Sequence, residues 1–220
     1  MVAAPTLDEE ISLFEQGVKF VAGVDEVGRG ALAGPVSVGV AVVTVETQPP
    51  PLGLRDSKQM SLSARENIID AVKAWPVAHA VGSATALEID EIGIVNALRL
   101  AWTRAYGLLA VKPDQVILDG KHNWLSPKDE DLFGIVIPRI EVPVTMKIKA
   151  DATCASVSAA SVLAKVQRDS YMRELASSFP EYGWESNVGY GAAGHMDAIR
   201  KLGPTQFHRK SWSLPAQVGV

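Results

Sequence analysis

"FVAGVDEVGRGALAGP", residues 20–35, opens as a buried strand, sets Asp25 and Glu26 side by side at its end, and then frames Arg29 with Gly28 and Gly30. The apolar run up to Val24 and the valine-rich "PVSVGVAVV" (35–43) read as two strands joined through residues 27–34. Adjacent carboxylates repel each other where a strand leaves a sheet. A compensating charge must therefore come from elsewhere in the chain or from a bound cation.

Outward from these strands, "TVETQPPPLG" (44–53) reads as a loop. "LSARENIIDAVKAW" (62–75) follows as a helix, with Ser63 and Glu66 at capping-box spacing and Ile68, Ile69, Val72 and Trp75 on one face. "VAHAVGSATA" (77–86) alternates like a strand, and a long helical pattern runs from Glu88 to Lys112. "KPDQVILDG" (112–120) turns into a short buried strand ending at Asp119. Residues 120–142 mix charge with two prolines and hold no clean period, which predicts an inserted excursion. "PVTMKIKAD" (143–151) resembles a further strand ending at Asp151. The helix pattern of residues 153–179 begins with Ala, Ser and Val, side chains small enough to let a helix approach its neighbour closely. The order predicts one α/β domain on a central sheet with a helical C-terminal part.

Bulk properties narrow the functions. A chain of 220 residues builds one sizeable core and is short for two, and 47% hydrophobic with 21% charged residues is ordinary globular composition. Its one cysteine, Cys154, rules out an internal disulfide and cysteine-rich zinc clusters, and a reducing, cytoplasmic setting is expected. No run approaches about 18 apolar residues and the N-terminus is acidic, so no membrane partner is expected. A net charge of −4 argues against indiscriminate coating of nucleic acid. After Ser186, however, Arg200, Lys201, Arg209 and Lys210 stand against Asp197 alone, beside His195 and His208. On charge alone such a tail is a solvated surface.

The acids now gather. Asp25 and Glu26 end one strand, Asp119 a second and Asp151 a third, and open α/β sheets form sites at strand ends. A lone carboxylate there is ordinarily a helix cap or loop anchor. Four at three exits point to a cation, and oxygen donors without cysteine or an HExxH pattern suit Mg²⁺ or Mn²⁺ rather than zinc. Two such ions about 3.5–4 Å apart support in-line phosphodiester hydrolysis. Gly28, Gly30 and Gly34 are spaced one residue too widely for a dinucleotide fingerprint, and no GxxxxGK[ST] occurs. What remains for "GRG" is a tight turn whose backbone can approach a ligand, with Arg29 free to meet a phosphate.

"GVDEVGRGALAGPV" is similar to the signature of the type 2 ribonucleases H, specifically bacterial ribonuclease HII. "LRDSKQMSLSARE", "VILDG", "KADATCASVSAASVLAKVQRD" and "GYGAAGHMDAIRKLGPTQFHRKSW" resemble further blocks of that family in the same order, across roughly residues 18–212. The resemblance implies a ribonuclease H-like fold, with a mixed central sheet flanked by helices and a helical C-terminal region. It implies a single catalytic domain over 1–220, with residues 1–17 as an N-terminal extension, 120–142 as an insertion and 180–220 as a basic region completing the substrate groove. Asp25, Glu26, Asp119 and Asp151 match the family's four-carboxylate site for Mn²⁺ or Mg²⁺. Gly28, Arg29 and Gly30 match the element that reads a ribonucleotide followed by DNA, and Tyr190 the tyrosine that contacts the ribose 2′-OH with it. Lys58 and Arg209 are expected at backbone phosphates.

The activity implied is hydrolysis of the RNA strand of RNA/DNA hybrids and cutting 5′ to single ribonucleotides in duplex DNA, by two-metal catalysis. The partners implied are those nucleic acids, with a monomer as the default. A junction-resolving nuclease of ribonuclease H-like fold needs the acids without the 2′-OH reader, and a noncatalytic nucleic-acid-binding module needs neither. Ribonuclease HIII, a longer relative, carries an additional N-terminal substrate-binding domain. Val27, Ala31 and Ala192 depart from the family's usual alanine, proline and threonine; the last removes a hydroxyl expected near the substrate. The 32 residues from Asp119 to Asp151 exceed the family's usual interval, and the excursion at 120–142 accounts for the excess.

Overall fold

Val21–Val27 (β1) and Val36–Val43 (β2) pair antiparallel, as their β-branched composition and the intervening glycines predict. The computed structural model describes residues 4–126, 137, 138 and 140–217. The remaining strands are Ala78–Ala84 (β3), Gln115–Asp119 (β4) and Val144–Lys147 (β5). They form one sheet in the order β3-β2-β1-β4-β5, antiparallel through β1, β2 and β3 and parallel through β1, β4 and β5. Among the described residues no helix is long and apolar enough to cross a membrane.

Helices cover both faces. They are Asp8–Glu15 (α1), Leu62–Ala74 (α2), Ala86–Leu108 (α3), Ala150–Thr153 (α4), Ala155–Ser178 (α5), Trp184–Asn187 (α6) and Ala193–Leu202 (α7). One face of the sheet, with Ala22, Val24, Val38 and Val40, packs on Leu98, Ala101 and Trp102 of α3. The other carries Val21, Ala41 and Val43 against α5, with α1 and α2 at its sides. The small residues of α5 do what their size predicts. A Cβ on Gly23 would lie 2.2 Å from backbone atoms of Ser156 and Val157, so the helix backbone rests on β1 itself. A third cluster, built around Trp184, Met172 and Ile199, seats the C-terminal helices on the far half of α5.

Three sequence expectations need correction. The cap of α2 is Ser61, whose side chain accepts from Ala64 N–H, rather than Ser63. The long helix ends at Leu108, before Lys112, and is broken at Gly93. Its capping box is Thr85 with Glu88, which Arg104 also holds. Asp151 does not end a strand: β5 stops at Lys147, Lys149 turns left-handed, and Asp151 lies in the first turn of α4. Of the excursion at 120–142, residues 127–136 and 139 lie outside the described residues. Its opening is core rather than surface, since Trp124 and Leu125 are buried and Arg99 donates to the carbonyls of Trp124 and Ser126.

Candidate active site

Strand alternation separates the two adjacent acids. Asp25 shares its face of β1 with Val21 and Gly23 and is buried toward α5, whereas Glu26 shares the other face with Ala22 and Val24. In the parallel ladder Val24 pairs with Leu118, which brings Asp119 out beside Asp25 one position further on. Asp119 Oδ1 accepts from Ala150 N–H at 2.7 Å, and this bond ties the exit of β4 to the start of α4 and hence to Asp151.

The four carboxylates strain one another electrostatically. Burial, with Glu26 and Asp151 alongside, pushes the Asp25 carboxyl up to about 8. Burial raises Glu26 too, with Arg29 opposing and Asp119 adding to the rise, and burial followed by Asp151 raises Asp119. On the α5 side, Lys58 Nζ donates to Asp151 Oδ2 at 2.9 Å. Burial alone would lower the Lys58 ammonium; the bond to Asp151 and the charge of Asp25 leave it raised. Asp56 fixes the turn that presents it by accepting from Lys58 N–H. The lysine expected at a phosphate is thus placed on a carboxylate.

Among the described residues no three His, Cys, Asp or Glu side chains already converge at metal-ligand spacing. The oxygens are engaged: Asp119 by Ala150, Asp151 by Lys58, and Asp25 Oδ1 by the N–H of Glu26. The donor set nonetheless fits a hard divalent cation. Four carboxylates meet at one edge, three of them raised by burial and by each other, and among the described residues Lys58 on Asp151 and Arg29 on Glu26 supply partial relief.

The glycine turn sits next to this edge. Gly28 takes φ 83°, and its N–H donates to the Tyr190 hydroxyl at 3.2 Å, joining the β1–β2 connector to the loop before α7. Arg29 is half exposed and pairs loosely with Glu26 at 3.4 Å, while Gly30 faces open space. Tyr190 is half-buried, with the Arg168 guanidinium 5.4 Å and Lys165 Nζ 5.8 Å from its ring centre. Glu26, Arg29, Asp119, Lys121 and His122 border a depression of about 270 Å³. A larger groove of about 1240 Å³ runs along the free edge of β3 and contains none of the four acids. The smaller one is bordered by two of them, Glu26 and Asp119.

The tail differs from its expected role. Arg209 is fully buried and donates to the carbonyls of Gly28, Arg29 and Gly34, which removes it from any phosphate. His195 and His208 are buried as well. Thr205 N–H donates to His208 Nδ1 (2.9 Å) and His195 Nδ1 lies 2.8 Å from the Tyr190 carbonyl, so His195 Nε2 accepts from both Trp184 and His208 Nε2. Arg200 pairs with Asp197. Two other residues escaped the sequence reading. Arg168 holds the connector from behind, and Glu10 of α1 accepts from Ser156 N–H and Oγ, capping α5 from outside the helix. An arginine in a helix of Ala, Ser and Val was the available signal for the first; nothing local marked the second.

Sheet order, a small-residue helix across one face and acids at one edge define a nuclease of ribonuclease H-like fold, and solved structures agree. The ribonuclease H2 of Pyrococcus horikoshii OT3 aligns with a TM-score of 0.67 at 28% identity, covering 88% of this chain and 94% of that one. The family model described as Ribonuclease HII matches residues 22–214. Ribonuclease HII of Streptomyces coelicolor is 44% identical over 197 residues, covering 90% of this chain and 78% of that protein. The Paracoccus denitrificans enzyme is 41% identical over 212 residues, covering 95% and 92%. The chain belongs to the ribonuclease HII family.

Proposed function

We propose that this chain hydrolyses the RNA strand of RNA/DNA hybrids and cuts 5′ to single ribonucleotides in duplex DNA, using Mn²⁺ or Mg²⁺. The observation that carries this reading is the hydrogen bond from Gly28 N–H to Tyr190, set directly beside the acids of β1 and β4. Because the Tyr190 hydroxyl already accepts from Gly28, its own proton remains to donate, and a ribose 2′-OH can accept it where deoxyribose offers nothing.

Asp25, Glu26, Asp119 and Asp151 would hold the metal. Bound there, the metal supplies positive charge to the phosphoryl oxygens and lowers the pKa of the attacking water. Asp151 would orient that water. Arg29, half exposed, and Lys58, once Asp151 turns to metal, offer charge to neighbouring phosphates. Hydrolysis forms a bond between water oxygen and phosphorus and breaks the bond to O3′, which takes the proton. The products are a 3′-hydroxyl and a 5′-phosphate.

The test is an end-labelled DNA duplex holding one ribonucleotide, incubated with Mn²⁺ or Mg²⁺ beside an all-DNA duplex and the Asp119→Asn variant. One cut 5′ to the ribonucleotide, absent from both controls, is the expected outcome. Cutting of a continuous hybrid alone would overturn the single-ribonucleotide reading.

A further inference from the structure

Two buried arginines stand behind the contact between Gly28 and Tyr190. Arg168, on α5, donates from Nε to Pro35 O (2.8 Å), from Nη2 to Ala33 O (3.1 Å) and from Nη1 to Val188 O (2.9 Å). Arg209 donates from Nη2 to Gly28 O (2.5 Å), from Nη1 to Arg29 O (2.8 Å) and from Nε to Gly34 O (3.2 Å). Five of these six carbonyls belong to the connector between β1 and β2, and the sixth lies two residues before Tyr190. Gly28 is shaped to this arrangement, because a Cβ there would come within 2.1 Å of Arg168 Nε.

Burying two guanidinium groups is costly unless something answers their charge. The nearest carboxylate oxygen to Arg168 is 4.0 Å away on Asp169, and Arg209 has no ion pair among the described residues. Carbonyl dipoles answer instead. A cation on a peptide carbonyl polarises that peptide group and strengthens the N–H on its other side. For Arg209 those are the N–H groups of Arg29 and Gly30, which face solvent and donate to no acceptor among the described residues.

We propose that Arg168 and Arg209 are positioning residues for ribonucleotide recognition. They lock the connector to the Tyr190 loop and prime its amides, and so set the preference for ribose without touching the substrate. The inference rests on the reading of Gly28 and Tyr190 as the 2′-OH reader. A purely structural role for these arginines would cost stability and would act independently of Tyr190.

The experiment is a double-mutant cycle on the full chain with Mn²⁺, measuring kcat and KM on the single-ribonucleotide duplex for Arg168→Met, Tyr190→Phe and their combination. Mn²⁺ affinity is measured by calorimetry alongside. Arg168→Met is expected to lower kcat/KM by about tenfold or more in the wild-type background and by under about twofold in the Tyr190→Phe background, with Mn²⁺ affinity unchanged. Arg209→Lys is expected to lose less than Arg209→Met. An equal loss in both backgrounds, or a parallel fall in Mn²⁺ affinity, overturns the proposal. Should Arg168→Met not fold, Arg168→Lys enters the same cycle under the same criterion. Failure of the wild-type chain to cut at a single ribonucleotide would instead remove the 2′-OH reading, and would show before any variant is compared.

Discussion

Lys58 holds the position a cation would otherwise relieve. Its ammonium answers Asp151 while Asp25, Glu26 and Asp119 carry raised carboxyls. Lys58→Ala should therefore act in opposite directions on two measurements. Without divalent metal the variant should lose about 0.2–1 kcal/mol, the range for an exposed pair, in urea unfolding. In calorimetry it should bind Mn²⁺ more tightly than wild type, because no ammonium competes for Asp151. His208 gives a second prediction of this kind. Burial, then His195 and Lys210, lowers its pKa to about 4. A depressed folded value means its contribution is fully present above the unfolded value near 6.5 and is lost as pH falls from there toward 4. In urea unfolding, the stability advantage of wild type over His208→Gln should shrink by up to about 3 kcal/mol between about pH 7 and pH 4.5.

Among the elements, α7 shows how an apparent substrate contact becomes a matter of helix construction. Ala192 is the N-cap of α7 in an extended conformation and has no side chain to accept from the first turn. The threonine usual in the family would fill that role, so Ala192→Thr should raise stability by about 0.5–2 kcal/mol in thermal or urea unfolding. The elements themselves were readable where pattern and packing agree. β1, β2, β3 and β4 have valine runs or alternation, and α5 has small residues that match the closeness of Gly23 to its backbone. Asp151 was misplaced because "VTMKIKAD" alternates like one strand, while the chain spends Lys149 on a left-handed turn. Arg209 was misplaced because charge in a sequence carries no burial: its guanidinium is consumed by the carbonyls of Gly28, Arg29 and Gly34, some 175 residues or more earlier in the chain. Lys58 was found for its charge, but its partner lies 93 residues away and no local pattern could name it.

For the whole molecule, the acids and the fold are energetically linked. The acids at the exits of β1 and β4 repel one another with only partial compensation, so any divalent ion bound only by the folded state stabilises it, by about 2.7 kcal/mol at a hundred times its dissociation constant. Mn²⁺ or Mg²⁺ should raise the Tm, EDTA should reverse the rise, and Asp25→Asn should abolish most of it. An unchanged Tm on metal addition would count against a shared carboxylate site.

The helix α5 spans 24 residues and meets both ends of the problem: its start adjoins Asp151 and packs on β1, and Arg168 further along grips the connector and the Tyr190 loop. At about 1.5 Å per residue it fixes the span from Asp151 to the Tyr190 loop, and on the proposed reading it would act as a ruler between the phosphodiester that breaks and the sugar that is inspected. One residue added within it would swing everything beyond by about 100°. On that reading, length could vary in the stretch between β4 and β5, while the spacing from cut to inspected sugar would be held by a part that admits no insertion.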